Sequence, residues 1–292
     1  ILSSCSQSFL DLYPETNVTS ASFYKTMTHF DQALNASYTG FRNIANNGLF
    51  MDEMRSDNAF YTIYYGDRGP YNATEKPCLF IDDEVSANAG PIRDRWTVNY
   101  QNIAKVNTIL DRVDASELTD AEKSKVKAEA LFLRAFYYFD LVKCFGGVPL
   151  SLQEVTTAEQ AFLPRSTAEE CYTQMLTDLN TAIELGLPVP VDFSKDNKGR
   201  ATMGAAKMLR AYISMTKSTP DYKTAEQDLV AITNMNYQLL ENYEDVFDPS
   251  NKNHQESILE VQFTEDGSTS QYSTFAWRLA PKCSNLVDMM GI

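Results

Sequence analysis

Apolar residues recur at helical spacing over most of the chain. From Ser20, which reads as a helix cap, Phe23, Met27, Phe30, Leu34, Phe41 and Ile44 share one face, predicting a helix to about Asn46. The period lapses over 47–95, a stretch rich in Asn, Asp, Gly, Pro and Tyr. Structureless segments of that length inside a compact domain are uncommon and often functional. From Trp96 the period returns, with Tyr100, Ile103, Asn107 and Leu110 on one stripe of a helix ending near Asp114. Trp96 is expected in the core. Asn107 reads as a buried amide tying two helix backbones together.

Thr119 and Glu122 form a capping box, each side chain satisfying an orphan amide of the first turn. The helix they open contains AEALFLRAFYYFDLVKCF, apolar on two faces. Ala128, Leu131, Phe132, Ala135, Phe139 and Val142 make one face; Ala130, Leu133, Tyr137 and Leu141 make the other. A helix apolar nearly all round is buried between neighbours, so these rings are expected to fill a core. Gly146-Gly147 stops the helix and Pro149 prevents its resumption.

Ser166 and Glu169 read as a second capping box, opening a helix to about Leu185 with Tyr172, Met175, Leu176, Leu179 and Ile183 on its apolar side. Another opens near Arg200 and packs through Ala205, Ala206, Leu209, Ala211, Tyr212 and Ile213. Thr219-Pro220 is expected to cap the next, which runs to about Met235. Leu259–Phe263 alternates with period 2 and predicts a short strand. The architecture expected is all-α: tetratricopeptide-like helical hairpins, without a strict consensus repeat, carrying long irregular loops and a short β segment.

Charge narrows the partners. The chain of 292 residues has 39 acidic and 25 basic side chains, a net charge of -14. Such a surface repels phosphate backbones, so nucleic acid is not an expected partner. No apolar run is long enough to span a bilayer as a helix; the ring-rich helix itself carries Glu129, Arg134, Asp140 and Lys143. The 16 Tyr exceed what a core accommodates, since a buried hydroxyl needs a partner, and some are expected on binding surfaces.

Catalytic chemistry finds no foothold. The two histidines, His29 and His254, have no nucleophile motif beside them. Phosphate-binding, zinc-protease and nucleophile-elbow signatures are absent. The five cysteines lack metal-ligand spacing, and Cys144 and Cys171 read as small buried hydrophobes. Asp82, Asp83 and Glu84 lack the spaced ligands and glycine turn of a calcium loop. No enzyme activity, cofactor or metal is expected. At the N-terminus, Leu2-Ser3-Ser4-Cys5 fits the processing site of a bacterial lipoprotein, with Cys5 as the lipidated residue.

A series of segments taken in order resembles the SusD/RagB family of Bacteroidetes outer-membrane lipoproteins. It begins with Cys5, Leu10-Asp11 and Pro14, then the segment Arg55 to Asn58, then Trp96, Tyr100, Ile103 and Asn107. It continues through Ala128-Glu129-Ala130, the run from Leu133 to Val142 and FGGVPL at 145–150. It closes with LPRST at 163–167, Asp178-Leu179-Asn180, GRAT at 199–202, Tyr237, Leu239, Tyr243, Phe247 and ESILEV at 256–261. The resemblance covers nearly the whole chain. It implies a surface lipoprotein, anchored in the outer membrane through Cys5, that captures a glycan and delivers it to a SusC-like TonB-dependent transporter. Some such relatives take peptides instead, and a helical docking scaffold without a small ligand fits the same pattern.

The resemblance also implies one SusD-like domain over 1–292, with a lead-in at 1–19, the irregular loop at 47–95, the helical scaffold at 96–235 and an irregular region at 236–292. Family members carry a further C-terminal portion, so the sequence reads as the N-terminal part of a longer protein. The ligand surface is expected on the loops outside the helical pairs. The first loop offers Asp57, Asn58, Tyr61, Tyr64, Tyr65, Arg68 and Tyr71; the second offers Tyr272, Phe275 and Trp277. Flat rings stack on the C–H faces of sugars while amides and charges meet the hydroxyl rim.

Overall fold

The computed structural model describes residues 23–53, 56, 58, 90–190, 199–264 and 271–274. Among these residues seven α-helices follow in order: α1 Met27–Met51, α2 Gly90–Val113, α3 Asp120–Phe145, the short α4 Ala158–Ala161, α5 Ala168–Leu185, α6 Met203–Thr216 and α7 Tyr222–Thr233. A 3-10 turn, Tyr243–Val246, comes after them. The longer helices stack antiparallel in the order α1, α2, α3, α5, α6, α7, and α3 also touches α1 and α6. The fold is all-helical, as the pattern predicts.

Several boundaries differ from expectation, each for a local reason. The first helix is capped by Thr26, whose hydroxyl accepts from the His29 amide, and Ser20 lies outside the described residues. It runs past Asn46 to Met51, where the side-chain amide of Asn47 donates to the Pro91 carbonyl and ties this end to α2. The second helix begins at Gly90 rather than Trp96, since Pro91 falls within the first turn, where a missing N–H costs nothing. Thr167 and Glu170, not Ser166 and Glu169, form the capping box of α5. Asp221, not Thr219, caps α7 by accepting from the Thr224 amide.

The predicted strand is also absent: no residue of 259–263 joins a ladder among the described residues. The backbone there is met by a side chain instead, Arg42 Nε donating to Gln262 O at 2.7 Å.

The core centres on α3. Phe132 is 1% exposed, and Leu133, Tyr137, Tyr138 and Leu141 are fully buried. Both tyrosine hydroxyls are satisfied, Tyr137 donating to the Ser37 carbonyl and Tyr138 to the Ser151 carbonyl at 2.7 Å. Burying a ring of this kind contributes roughly 2–3 kcal/mol. The rings therefore pack the scaffold and do not line a cleft.

Polar groups inside the stack are paired by forked arginine–carboxylate contacts. Arg95 of α2 grips Asp140 of α3 at 2.9 and 2.6 Å. Arg134 of α3 grips Asp178 of α5, both contacts at 2.8 Å. Arg210 of α6 grips Asp228 of α7 at 2.6 Å. Arg200, just before α6, grips Glu129 of α3 at 2.6 and 2.8 Å. Of the charges that exclude a membrane helix, Glu129, Arg134 and Asp140 are thus pins between α3 and neighbouring segments, while Lys143 pairs with Asp140 within α3. Asn107 differs from expectation in its partner: it ties α2 to the segment after α3, donating to Ser151 O and Gln153 O, and accepts from Arg134.

Candidate functional site

One end of the stack gathers the features that suit recognition. Here α1 ends, α2 begins and α3 ends, because the three run antiparallel. Arg95 fastens the junction, reaching Asp52 beyond α1 at 3.0 Å as well as Asp140. Asn99 adds a hydrogen bond to Asp140 at 2.9 Å. Burial alone would push the Asp140 carboxyl up, but the Arg95 guanidinium holds it below the usual carboxylate range. The junction is therefore ionised and rigid at neutral pH.

On this base sits an aromatic corner. Trp96 is 36% exposed, so its place is at the surface and not in the expected core. Its ring lies 4.9 Å from Tyr100 and 5.1 Å, edge-on, from Phe145 at the end of α3. The Tyr100 hydroxyl is fixed by donation to Pro149 O at 2.7 Å. Beside the corner, Arg93 and Asp94 are largely exposed. Flat ring surface held rigid next to amides and charges suits a ligand with both C–H faces and hydroxyls.

Both irregular segments meet this end. Asn58 lies on the segment leaving α1 and is exposed, its amide N–H donating to Ser56 Oγ at 3.1 Å. Tyr272 is 53% exposed, and the neighbouring Thr274 donates twice to Asn46 Oδ1 in α1, at 3.1 Å through its amide and its hydroxyl. Asp57, Tyr61, Tyr64, Tyr65, Arg68, Tyr71, Phe275, Trp277 and Cys5 lie outside the described residues. The corner of Trp96, Tyr100 and Phe145 was not among the expected site residues. No local signal marks it, because Trp96 is turned outward by the pairing of Arg95 with the remote Asp140.

The other chemical groups are structural. Burial pushes the Cys144 thiol up to about 11 and raises Cys171 as well, so neither is a thiolate at neutral pH. His254 is nearly buried and accepts from the Glu256 amide. Among the described residues no three His, Cys, Asp or Glu side chains form a group able to hold a metal, and no helix is long and apolar enough to cross a membrane.

Among the described residues the fold is an all-helical scaffold with an aromatic corner exposed at one end. The SusD-like family, described as starch-binding and associating with the outer membrane, matches residues 8–215, and the chain belongs to that family. A SusD-like protein of Bacteroides ovatus is 28% identical over 96% of the chain and 51% of its own length. The starch-binding protein SusD of Bacteroides thetaiotaomicron is 25% identical over 86% of the chain and 46% of its own length. A SusD superfamily structure from Bacteroides vulgatus is 26% identical, with a TM-score of 0.66, covering 82% of this chain and 50% of that one. A laminarin-binding SusD-like protein is 25% identical, with a TM-score of 0.67, covering 81% and 51%. The chain spans about half the length of the curated relatives it matches.

Proposed function

We propose that this chain belongs to a surface glycan-binding lipoprotein, with the aromatic end of the stack as its sugar-facing surface. The carrying observation is the convergence on one rigid junction of Trp96, Tyr100 and Phe145 with the segments bearing Asn58 and Tyr272. Asp57, Tyr61, Tyr64, Tyr65, Arg68 and Tyr71 belong to the first of those segments, Phe275 and Trp277 to the second, and the proposal assigns them to the same ligand. The specificities of relatives, starch and laminarin, support a neutral polysaccharide. Family membership supports the two further elements of the proposal, lipid anchoring through Cys5 and delivery to a SusC-like TonB-dependent transporter.

Calorimetric titration against a panel including starch and laminarin tests the reading. Binding is expected, weakened about fivefold or more by Trp96→Ala and by Trp277→Ala, since one stacked ring contributes roughly 1–3 kcal/mol. Heat with peptides and none with any glycan moves the assignment to peptide capture. Co-purification with a β-barrel but no ligand of either kind favours a docking scaffold.

A further inference from the structure

A second recess lies along α2, away from the aromatic corner. The segment between α3 and α5 lines a cavity of about 290 Å³, open to solvent. Its lining is partly aliphatic, from Leu150, Leu152 and Leu163, and partly polar, from Ser151, Gln153 and Gln160. The scaffold holds the backbone still. Asn107 takes the Ser151 and Gln153 carbonyls, Arg134 takes Leu152 O, and the Tyr138 hydroxyl brackets Ser151 from both sides. Gln160 is oriented too, because its Oε1 accepts from the Thr156 and Thr157 amides, which leaves Nε2 as a donor.

Three polar groups remain uncommitted around this recess. Among the described residues, none pairs with Gln160 Nε2, the Ser151 hydroxyl or the Gln153 amide. The one carboxylate in the lining, Glu154, is neutralised by Arg112 through two contacts of 2.9 Å. An apolar ligand would leave the amides unmet, and a charged one would find no opposite charge free to meet it. A ring with one apolar face and a rim of hydroxyls satisfies both the aliphatic and the polar lining. We infer that this recess is a secondary subsite for one neutral sugar ring of the glycan, an inference that rests on the glycan reading above. Trp96 and Asn107 are about 16 Å apart along α2 at 1.5 Å per residue, so a chain of several rings reaches both.

The test uses the full chain with malto- and laminari-oligosaccharides. Gln153→Ala removes one hydrogen-bonding amide from an exposed position and is expected to weaken binding roughly 3–10-fold without moving the melting temperature. Leu163→Trp fills the recess and is expected to weaken binding at least as much. The side-chain amide signals of Gln153 and Gln160 should shift on saturation, a readout that does not depend on the folding of any variant. Sugar binding that needs Trp96 but leaves those amide signals unmoved and both recess variants at full affinity overturns the subsite alone. Absence of any sugar binding by the unaltered protein overturns the glycan reading, and the subsite with it.

Discussion

Arg95 and Trp96 are neighbours in sequence with opposite fates. Arg95, the more polar, is 2% exposed, while Trp96 is 36% exposed. The partner of Arg95, Asp140, is remote in the chain, so no local pattern could reveal that the arginine turns inward and rotates the tryptophan out. The energetics follow. Arg95→Ala strands a buried carboxylate and is expected to cost about 3–5 kcal/mol in urea unfolding, whereas Trp96→Ala should stay near 1 kcal/mol. The pH dependence has a definite sign. Asp140 has a depressed folded pKa, so its contribution is present above the ordinary carboxylate range and is lost as pH falls through the lowered value. Acid melts should therefore lose stability below about pH 4, with a shallower slope in Asp140→Asn than in the parent protein.

At the scale of elements, helix existence was legible and phase was not. The apolar period located α3, and the Thr119–Glu122 box stands where the spacing places it. Around α5 two overlapping boxes were available, Ser166 with Glu169 and Thr167 with Glu170, and the spacing rule cannot choose between them. The turn before α5 chooses. A Cβ on Gly147 would fall 2.1 Å from Ser166 O and 2.9 Å from Ala168 N, so two backbones meet here and set the register. Thr167→Ala is expected to cost roughly 1 kcal/mol and Ser166→Ala close to nothing, compared by thermal melts. Gly147→Ala should cost at least about 1–3 kcal/mol by overpacking, seen as a drop in melting temperature larger than that of either cap variant. The missing strand shows the same limit: alternation at 259–263 promises a ladder, but a ladder needs a partner strand.

Across the whole molecule, a stack of antiparallel helices is pinned by forked ion pairs, and the proposed sugar-facing surface lies at one end of it. That the ring-rich helix fills a core was readable, since a helix apolar on two faces can only be buried and Phe132 and Tyr138 are. The position of the proposed surface was not readable, because it depends on three helix termini meeting. The segments bearing Asn58 and Tyr272 were chosen from the sequence, whereas the corner of Trp96, Tyr100 and Phe145 emerges only when α2 and α3 are laid side by side.

Hydrogen exchange, measured with and without a saturating polysaccharide that the protein binds, tests the proposed sugar-facing surface most directly. The account predicts protection of peptides covering 46–58, 90–100 and 271–274, while α6 and α7 exchange unchanged. Protection concentrated on α6 and α7, with the α1–α2–α3 junction unaffected, would contradict it.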